Sequence, residues 1–336
     1  MSISQCGICY TLSMKKQILV SGLRATSEPH IGNYLGAIRQ FLEKQEDFDC
    51  YFFIADLHTL TTAFEPEELR KNSLAVLADY IALGLDPKKN TIFLQSQVPQ
   101  HTELAWIFNC ITPVSELQRM TQFKDKASTD VKNINAGLLN YPVLMAADVL
   151  LYKGEVVPVG EDQVQHLELS RIIARKFNNA FGKTFPEPKP ILNKTARVMS
   201  LTEPTKKMSK TGGAAILLSD SPEEIKKKLR KAVTATDATG KSEGVDNLMY
   251  LLKEFGNQEQ YDFFQSQLKD NTIQFSHLKD ALAEAISEHF KEFREKRKKL
   301  LEDPEYLAEV LATGAKKAQA VANKTMEEIK GKIGLL

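Results

Sequence analysis

The chain has 336 residues, 43% of them hydrophobic and 26% charged, with a formal net charge of +1. That length suits one large domain or two smaller ones, and the charge balance excludes a global basic field; a nucleic-acid partner would have to meet a local basic face. No apolar run approaches the roughly 20 residues that cross a bilayer, so no membrane partner is expected.

Residues 1–13, MSISQCGICYTLS, carry no Lys or Arg and fit neither a signal nor a transit peptide. They read as a disordered N-terminal extension, and the fold pattern begins at Met14. Cys6-Gly-Ile-Cys9 has metal or redox spacing, but no second CxxC completes a zinc site. No protein-bound zinc, iron–sulfur cluster or other metal is expected. Cys50 opens an apolar strand and Cys110 ends an apolar helix, so both read as buried small hydrophobes. This cysteine usage suits a reducing compartment, and the expected location is the cytoplasm.

Taken in chain order, Ile18–Leu23 reads as a strand and Asn33–Lys44 as a helix with Leu35, Ile38, Phe41 and Leu42 on one face. Tyr51–Ala55 is a second strand, Pro66–Leu83 a helix and Thr91–Gln95 a third strand. Helical patterns cover Gln100–Gln122 and Ala136–Tyr152. Val156–Val159 is a further strand, Asp162–Phe177 a helix, and Arg197–Ser200 a candidate last strand. Past residue 220 the strand signal ends. Pro222–Val233, Val245–Phe255, Gln258–Lys269, Phe275–Leu301 and Pro304–Ile329 all read as helices. The alternation predicts an α/β fold, a doubly wound parallel sheet of the Rossmann type, followed by a helical region.

Two stretches carry chemistry. Ser27–Gln40, SEPHIGNYLGAIRQ, lies where the first strand hands over to a helix. A first strand-to-helix turn aims backbone N–H groups and a positive dipole end at the crevice of an α/β sheet. Gly32 leaves room beside the backbone, and His30 can donate to a phosphate oxygen. Taken alone, the stretch suits a nucleotide or an ordinary tight turn. Residues 205–213, TKKMSKTGG, place two lysines three apart on a loop ending in glycines. Such a loop is either a mobile cationic clip for a departing pyrophosphate or a solvated Lys-rich surface.

Together the two stretches resemble the paired HIGH-type and KMSKS-type motifs of class I aminoacyl-tRNA synthetases. They stand here as His30-Ile31-Gly32-Asn33 and Lys207-Met208-Ser209-Lys210-Thr211. YPVLMAADVLLY at 141–152, VPVGEDQ at 157–163 and MTQFKDK at 120–126 are similar to the tryptophan-specific branch of bacteria and organelles. The resemblance implies a ligase that activates L-tryptophan with ATP, accompanied by Mg2+, and transfers it to tRNA(Trp), as a homodimer. It implies that Lys207, Ser209, Lys210 and His30 serve catalysis. Arg24, Ala25, Thr26, Gly32, Asn33, Gly160, Glu161, Asp162, Val198, Met208 and Thr211 would join His30 and the loop in holding ATP. Val198 would do so through its backbone, and Lys124 would reach the phosphates.

Asp148 stands in an otherwise apolar helix, where a carboxylate must find a donor or stay near solvent. It reads as a structural partner of a neighbouring element or, as the resemblance implies, as the acceptor for the indole N–H. Met145, Val157 and Val159 would then form apolar walls, and Tyr141 and Gln163 the polar ends. His58, past the second strand, either faces the crevice or serves the core. One departure concerns Gly22-Leu23-Arg24-Ala25-Thr26-Ser27, where the family carries Gln, Pro and a second Gly; Arg24 adds charge beside the ATP. The resemblance further implies a catalytic part over 14–204, a lysine loop and anticodon-reading helices over 205–300, and a C-terminal helix over 301–336 that packs back on the catalytic part. The basic runs Lys226–Lys231 and Arg294–Lys299 are candidate tRNA contacts or solvated faces. A tyrosine-specific relative and a non-catalytic RNA-binding paralogue are the alternative readings.

Overall fold

The computed structural model describes residues 16–25, 28–62, 64–124, 135–192, 198–209, 215–234 and 242–336. The predicted extension 1–13, Thr26, Lys210 and Thr211 lie outside the described residues.

Strands β1 Ile18–Leu23, β2 Asp49–Ile54, β3 Thr91–Leu94, β4 Val156–Val159 and β5 Lys189–Leu192 form one sheet in the order β3-β2-β1-β4-β5. Every pairing is parallel. The centre of the sheet is covered on both faces, and Leu19, Val20, Phe52 and Phe93 are fully buried. The fifth strand is not the predicted one. Lys189-Pro190-Ile191-Leu192 has no buried residue and opens with a Lys–Pro pair, so it carries no apolar run to read. Pairing only with β4, it is an edge strand, where proline is tolerated. Met199 instead forms a single antiparallel bridge with Lys207.

Three helical readings change. The first helix starts earlier, as α1 Ile31–Asn33, passes through a π-helical turn at Tyr34–Ile38, and continues as α2 Arg39–Lys44. A short helix, α3 Asp56–Thr59, follows β2, and α4 is Pro66–Ala82. The stretch Gln100–Gln122 breaks at Thr112-Pro113 into α5 Gln100–Ile111 and α6 Val114–Gln118, because proline has no N–H to continue the ladder. Cys110 is exposed, contrary to expectation. Helix α5 buries His101, Leu104, Ala105 and Phe108, an i, i+3, i+4, i+7 face, and Cys110 falls opposite it. Cys50 is buried as expected, and burial pushes its thiol up to about 12.

Helix α7 Ala136–Leu150 and helix α8 Val164–Phe181, the latter entered through a 3-10 turn at Glu161–Gln163, flank β4. The helical half comprises α9 Pro222–Arg230, α10 Glu243–Phe255, α11 Gln258–Lys269, α12 Phe275–His289, α13 Lys291–Leu301 and α14 Pro304–Ile333. The predicted long helix Phe275–Leu301 therefore divides at Phe290. Helix α14 returns to the sheet: Ala315, Ala318, Ala322, Met326 and Ile329 share a core with Phe93, Phe108 and Tyr152. A Cβ on Gly314 would lie 1.7 Å from the Ile92 carbonyl oxygen, so only glycine permits this helix to approach β3 so closely.

Candidate functional site

β1 and β4 are neighbours at the middle of the sheet, and the chain winds outward from them in opposite directions. The crevice at their carboxyl ends is the topological switch point where open α/β sheets bind ligands. Four segments open there: Arg24, Ala25 and Glu28–His30 after β1, Ala55–His58 after β2, Gly160–Gln163 after β4, and the chain around Val198 beyond β5.

The first motif is built around a histidine cap. His30 Nδ1 accepts from Gly32 N at 3.1 Å, and Asn33 Oδ1 accepts from His30 N at 3.1 Å. This reciprocal pair is the capping box usually made by Ser or Thr with Glu or Gln. Gly32 has a local reason as well: a Cβ there would stand 2.9 Å from the His30 ring. His30 is buried and Gly32 half-buried. Arg24 is exposed, whereas Ala25 is buried in the core behind β1, so only its backbone can face a ligand.

The flanks of the second motif pair with the first. Ile31 N donates to Ile216 O at 3.0 Å, Leu218 N donates to Pro29 O at 3.0 Å, and His30 bridges Leu217. Met208 N donates to Val198 O at 3.0 Å. Met208, Val198 and Ile31 are buried in one core, which the helical half completes with Leu248, Leu252 and Phe290. The apolar residues inside the two motifs thus anchor them to a common base. Lys207 and Ser209 remain exposed above it. Asn247, which the sequence reading missed, holds this base with both amide groups: Oδ1 accepts from Met199 N and Nδ2 donates to Met199 O.

The acidic turn after β4 is open to solvent. Glu161 and Asp162 are exposed, and Gln163 Nε2 donates to Asp162 Oδ2 at 2.9 Å. A Cβ at Gly160 would meet Asp162 Oδ1 at 2.7 Å.

Asp148 is fully buried and sits at the hub of a polar network. Oδ1 accepts from Gln95 Nε2 at 2.7 Å and faces His101 Nδ1 at 2.6 Å; Oδ2 faces His58 Nε2 at 2.8 Å. His101 Nε2 lies 2.8 Å from Tyr152 Oη. Burial opposes the charge on Asp148, but the bonds from His101 and His58 outweigh it and hold the carboxyl at about 2. Asp148 is structurally paired: Gln95, His101 and His58 occupy three of the about four lone-pair sites that a carboxylate offers. The network was missed because Gln95 lies in the 3-10 turn just past β3 and His101 on an apolar helix; neither position carries a spacing signal.

Tyr141, Met145 and Val149 follow at i, i+4 and i+8 on α7, one face of the helix. Val149 packs with Val157, Val159 and Leu167. Tyr141 Oη donates to Gln122 Oε1 at 3.1 Å and lies 2.7 Å from His166 Nε2, and the ring stands edge-on to His58 at 6.3 Å. Burial pushes the phenol up to about 12, with the nearby Arg24 charge pulling the other way. Among the described residues no cluster of three His, Cys, Asp or Glu is suited to a metal ion.

Residues 13–301 match the family of class I tRNA synthetases specific for tryptophan and tyrosine. This chain belongs to that family. Similar curated relatives are tryptophan–tRNA ligases of Clostridium tetani, 46% identical with 96% of each chain covered, and of Caldanaerobacter subterraneus, 46% identical with 94% of this chain and 98% of the relative covered. The tryptophanyl-tRNA synthetase of Campylobacter jejuni, solved with ADP and tryptophan, superposes with a TM-score of 0.86 at 36% identity, covering 95% of this chain and all of its own. An archaeal tyrosyl-tRNA synthetase, at 20% identity, shares the fold.

The synthetase fold also sorts the basic runs. Lys226 pairs with Asp280 and Lys228 with Asp220. Arg294 donates to the Ser287 carbonyl oxygen, and Arg297 is turned inward. These two arginines are withdrawn from the proposed tRNA face, while Lys298 and Lys299 are exposed.

Proposed function

We propose that this protein is a tryptophan–tRNA ligase that forms tryptophanyl-adenylate from L-tryptophan and ATP and passes it to the 3′ end of tRNA(Trp). One observation carries the reading: the two motif segments are hydrogen-bonded into one unit beyond the central strands, and His58, just past β2, reaches the buried Asp148. The relatives named tryptophan–tRNA ligase and the neighbour solved with ADP and tryptophan support it.

The substrate carboxylate is already ionised, so the first step needs no general base. Its oxygen attacks the α-phosphorus in line, the bond to the bridging oxygen breaks, and pyrophosphate leaves. Positioning and charge stabilisation supply the rate. Lys207, Ser209 and Lys210 neutralise the departing pyrophosphate, with Thr211 beside them. The His30 cap, Gly32 and Asn33 hold the phosphates, aided by Arg24 and by the Ala25 and Thr26 backbone. Gly160, Glu161 and Asp162 hold the ribose, and the Val198 and Met208 backbone meets adenine. The fourth lone-pair site on Asp148 accepts the indole N–H, against walls from Met145, Val157 and Val159. Tyr141, Gln163 and His58 face the polar end of the amino acid. In the second step a ribose hydroxyl of the tRNA attacks the acyl carbon, the bond from that carbon to the phosphate oxygen of AMP breaks, and the hydroxyl proton is released as AMP leaves.

Mg2+ enters with ATP, and no side chain of this protein is assigned to it. Residues 14–204 form the catalytic part, and the helices of 205–300 meet the anticodon arm. A second copy of the chain and a cytoplasmic setting complete the reading. Exchange of labelled pyrophosphate into ATP tests it: exchange driven by tryptophan and not by tyrosine is expected. Equal exchange with tyrosine favours the tyrosine-specific alternative, and none with either favours a non-catalytic paralogue.

A further inference from the structure

Arg297 lies on α13, far in sequence from both motifs, with 14% of its side chain exposed. Its guanidinium donates from Nε to Asp79 Oδ1 and from Nη2 to Glu28 Oε1, each at 2.5 Å. Asp79 is fully buried in the last turn of α4. Glu28 opens the segment Glu28-Pro29-His30 that leads into the first motif. The second carboxylate oxygen of Glu28 accepts from Ser219 Oγ at 2.7 Å. Ser219 follows the strand-like segment Ile216–Leu218 that pairs with Pro29, His30 and Ile31. One guanidinium therefore ties together a helix of the catalytic part, the entry to the first motif, the limb returning from the lysine loop, and the helical half.

The geometry calls for arginine. Two carboxylates on different elements are met by two nitrogens of one planar fork, which a lysine ammonium cannot reproduce. Burial works against the guanidinium charge, and Asp79 and Glu28 more than offset it. Neither Glu28 nor Arg297 has any part in the chemistry above, and the sequence puts Arg297 in a basic run that reads as tRNA contacts or a solvated face.

We propose that Arg297 is a positioning residue for adenylate formation, acting through Glu28 to hold the His30 segment and the returning limb of the lysine loop in register over the crevice. This rests on the ligase reading. The two arms of the guanidinium have different duties. The Asp79 arm compensates a buried charge and supports folding, because an unpaired carboxylate there is strongly destabilising. The Glu28 arm sets the position of the motifs. Glu28 is only half-buried, so Glu28→Gln keeps the shape and removes the charge that draws Arg297 to the segment.

The test compares wild type, Glu28→Gln, Arg297→Lys and the double variant by pyrophosphate exchange, single-turnover adenylation and thermal melting. Misplacement of reacting groups costs on the order of tenfold to a hundredfold in rate. Glu28→Gln is expected to melt near wild type, to keep its KM for tryptophan within about twofold, and to lose about tenfold in kcat. The double variant is expected to be no slower than Arg297→Lys, because both changes cut one link. A Glu28→Gln protein with wild-type kcat, or rate losses that multiply in the double variant, would overturn the positioning role. A wild type without tryptophan-dependent exchange would instead overturn the ligase reading and, with it, this proposal.

Discussion

The two ends of the crevice are built by different means. At the Asp148 end, side chains make the site: a buried carboxylate is held by Gln95, His101 and His58, with Tyr152 behind them. At the motif end, the backbone makes it: Pro29–Ile31 pairs with Ile216–Leu218, and Met208 pairs with Val198. The charged groups there, Lys207 and Arg24, are exposed. On the proposed ligase reading, the Asp148 end discriminates between flat rings and gains from groups whose orientation is fixed before the ligand arrives. The motif end would stabilise transient charge on phosphates, which needs donors and cations that can follow it. Substitutions at the motif end should therefore act on rate, and substitutions at the Asp148 end on selectivity and stability.

The largest effect is expected from Lys210→Ala. Loss of a group that stabilises charge only in the transition state costs roughly a hundredfold to a thousandfold in rate. Stopped-flow adenylation should show that loss with little change in tryptophan affinity. Equal losses in both would erase the distinction between the two ends.

Next comes Asp148→Ala. A hydrogen bond to a charged group contributes roughly 1.5–3 kcal/mol, so kcat/KM for tryptophan should fall about tenfold to a hundredfold while ATP binding persists. Acid melting sharpens the point. Asp148 is held at about 2, below the ordinary 3.8, so the folded protein binds fewer protons here than the unfolded chain. Its contribution to stability is complete above about pH 5 and is lost as pH falls from about 4 towards 2. The difference in melting temperature between wild type and Asp148→Asn should shrink over that window. A difference that does not change with pH would mean that the carboxyl is unperturbed.

Much of this was legible in the sequence because it rests on local rules. The strands β1, β2, β3 and β4 are apolar runs, so the place of the first motif after β1 followed from the βαβ order, while the pairing of the two motifs came from the family resemblance. Strand β5 was not legible, since an exposed Lys–Pro edge strand has no hydrophobic signature. The partners of Asp148 were not legible either. Gln95, His101 and His58 come from three separate segments, and only the folded sheet brings them together. The same holds for Arg297, whose basic neighbours suggested solvent and whose partners are Asp79 and Glu28.

A smaller effect is expected at Gly32. An added methyl would stand 2.9 Å from the His30 ring, which must move and weaken the cap. Loss of a helix cap costs about 1 kcal/mol of stability, so Gly32→Ala should melt a few degrees lower than wild type and slow adenylation a few-fold. Thermal melting beside single-turnover adenylation checks this.

The smallest effect belongs to the exposed lysines. If Lys298 and Lys299 touch tRNA phosphates, each change to Ala should reduce the slope of binding against salt by about 1 and leave exchange untouched. An unchanged slope, measured by filter binding across salt concentrations, would return them to solvent.

The most direct test of the account puts tryptophan beside an analogue with sulfur in place of the indole N–H. Pyrophosphate exchange is measured with both, in wild type and in Asp148→Ala. Wild type should reject the analogue, because it leaves the fourth site on a buried carboxylate without a donor. The variant should lose most of that discrimination. Equal discrimination in the two proteins would contradict the account and leave Asp148 as the hub of a structural network alone.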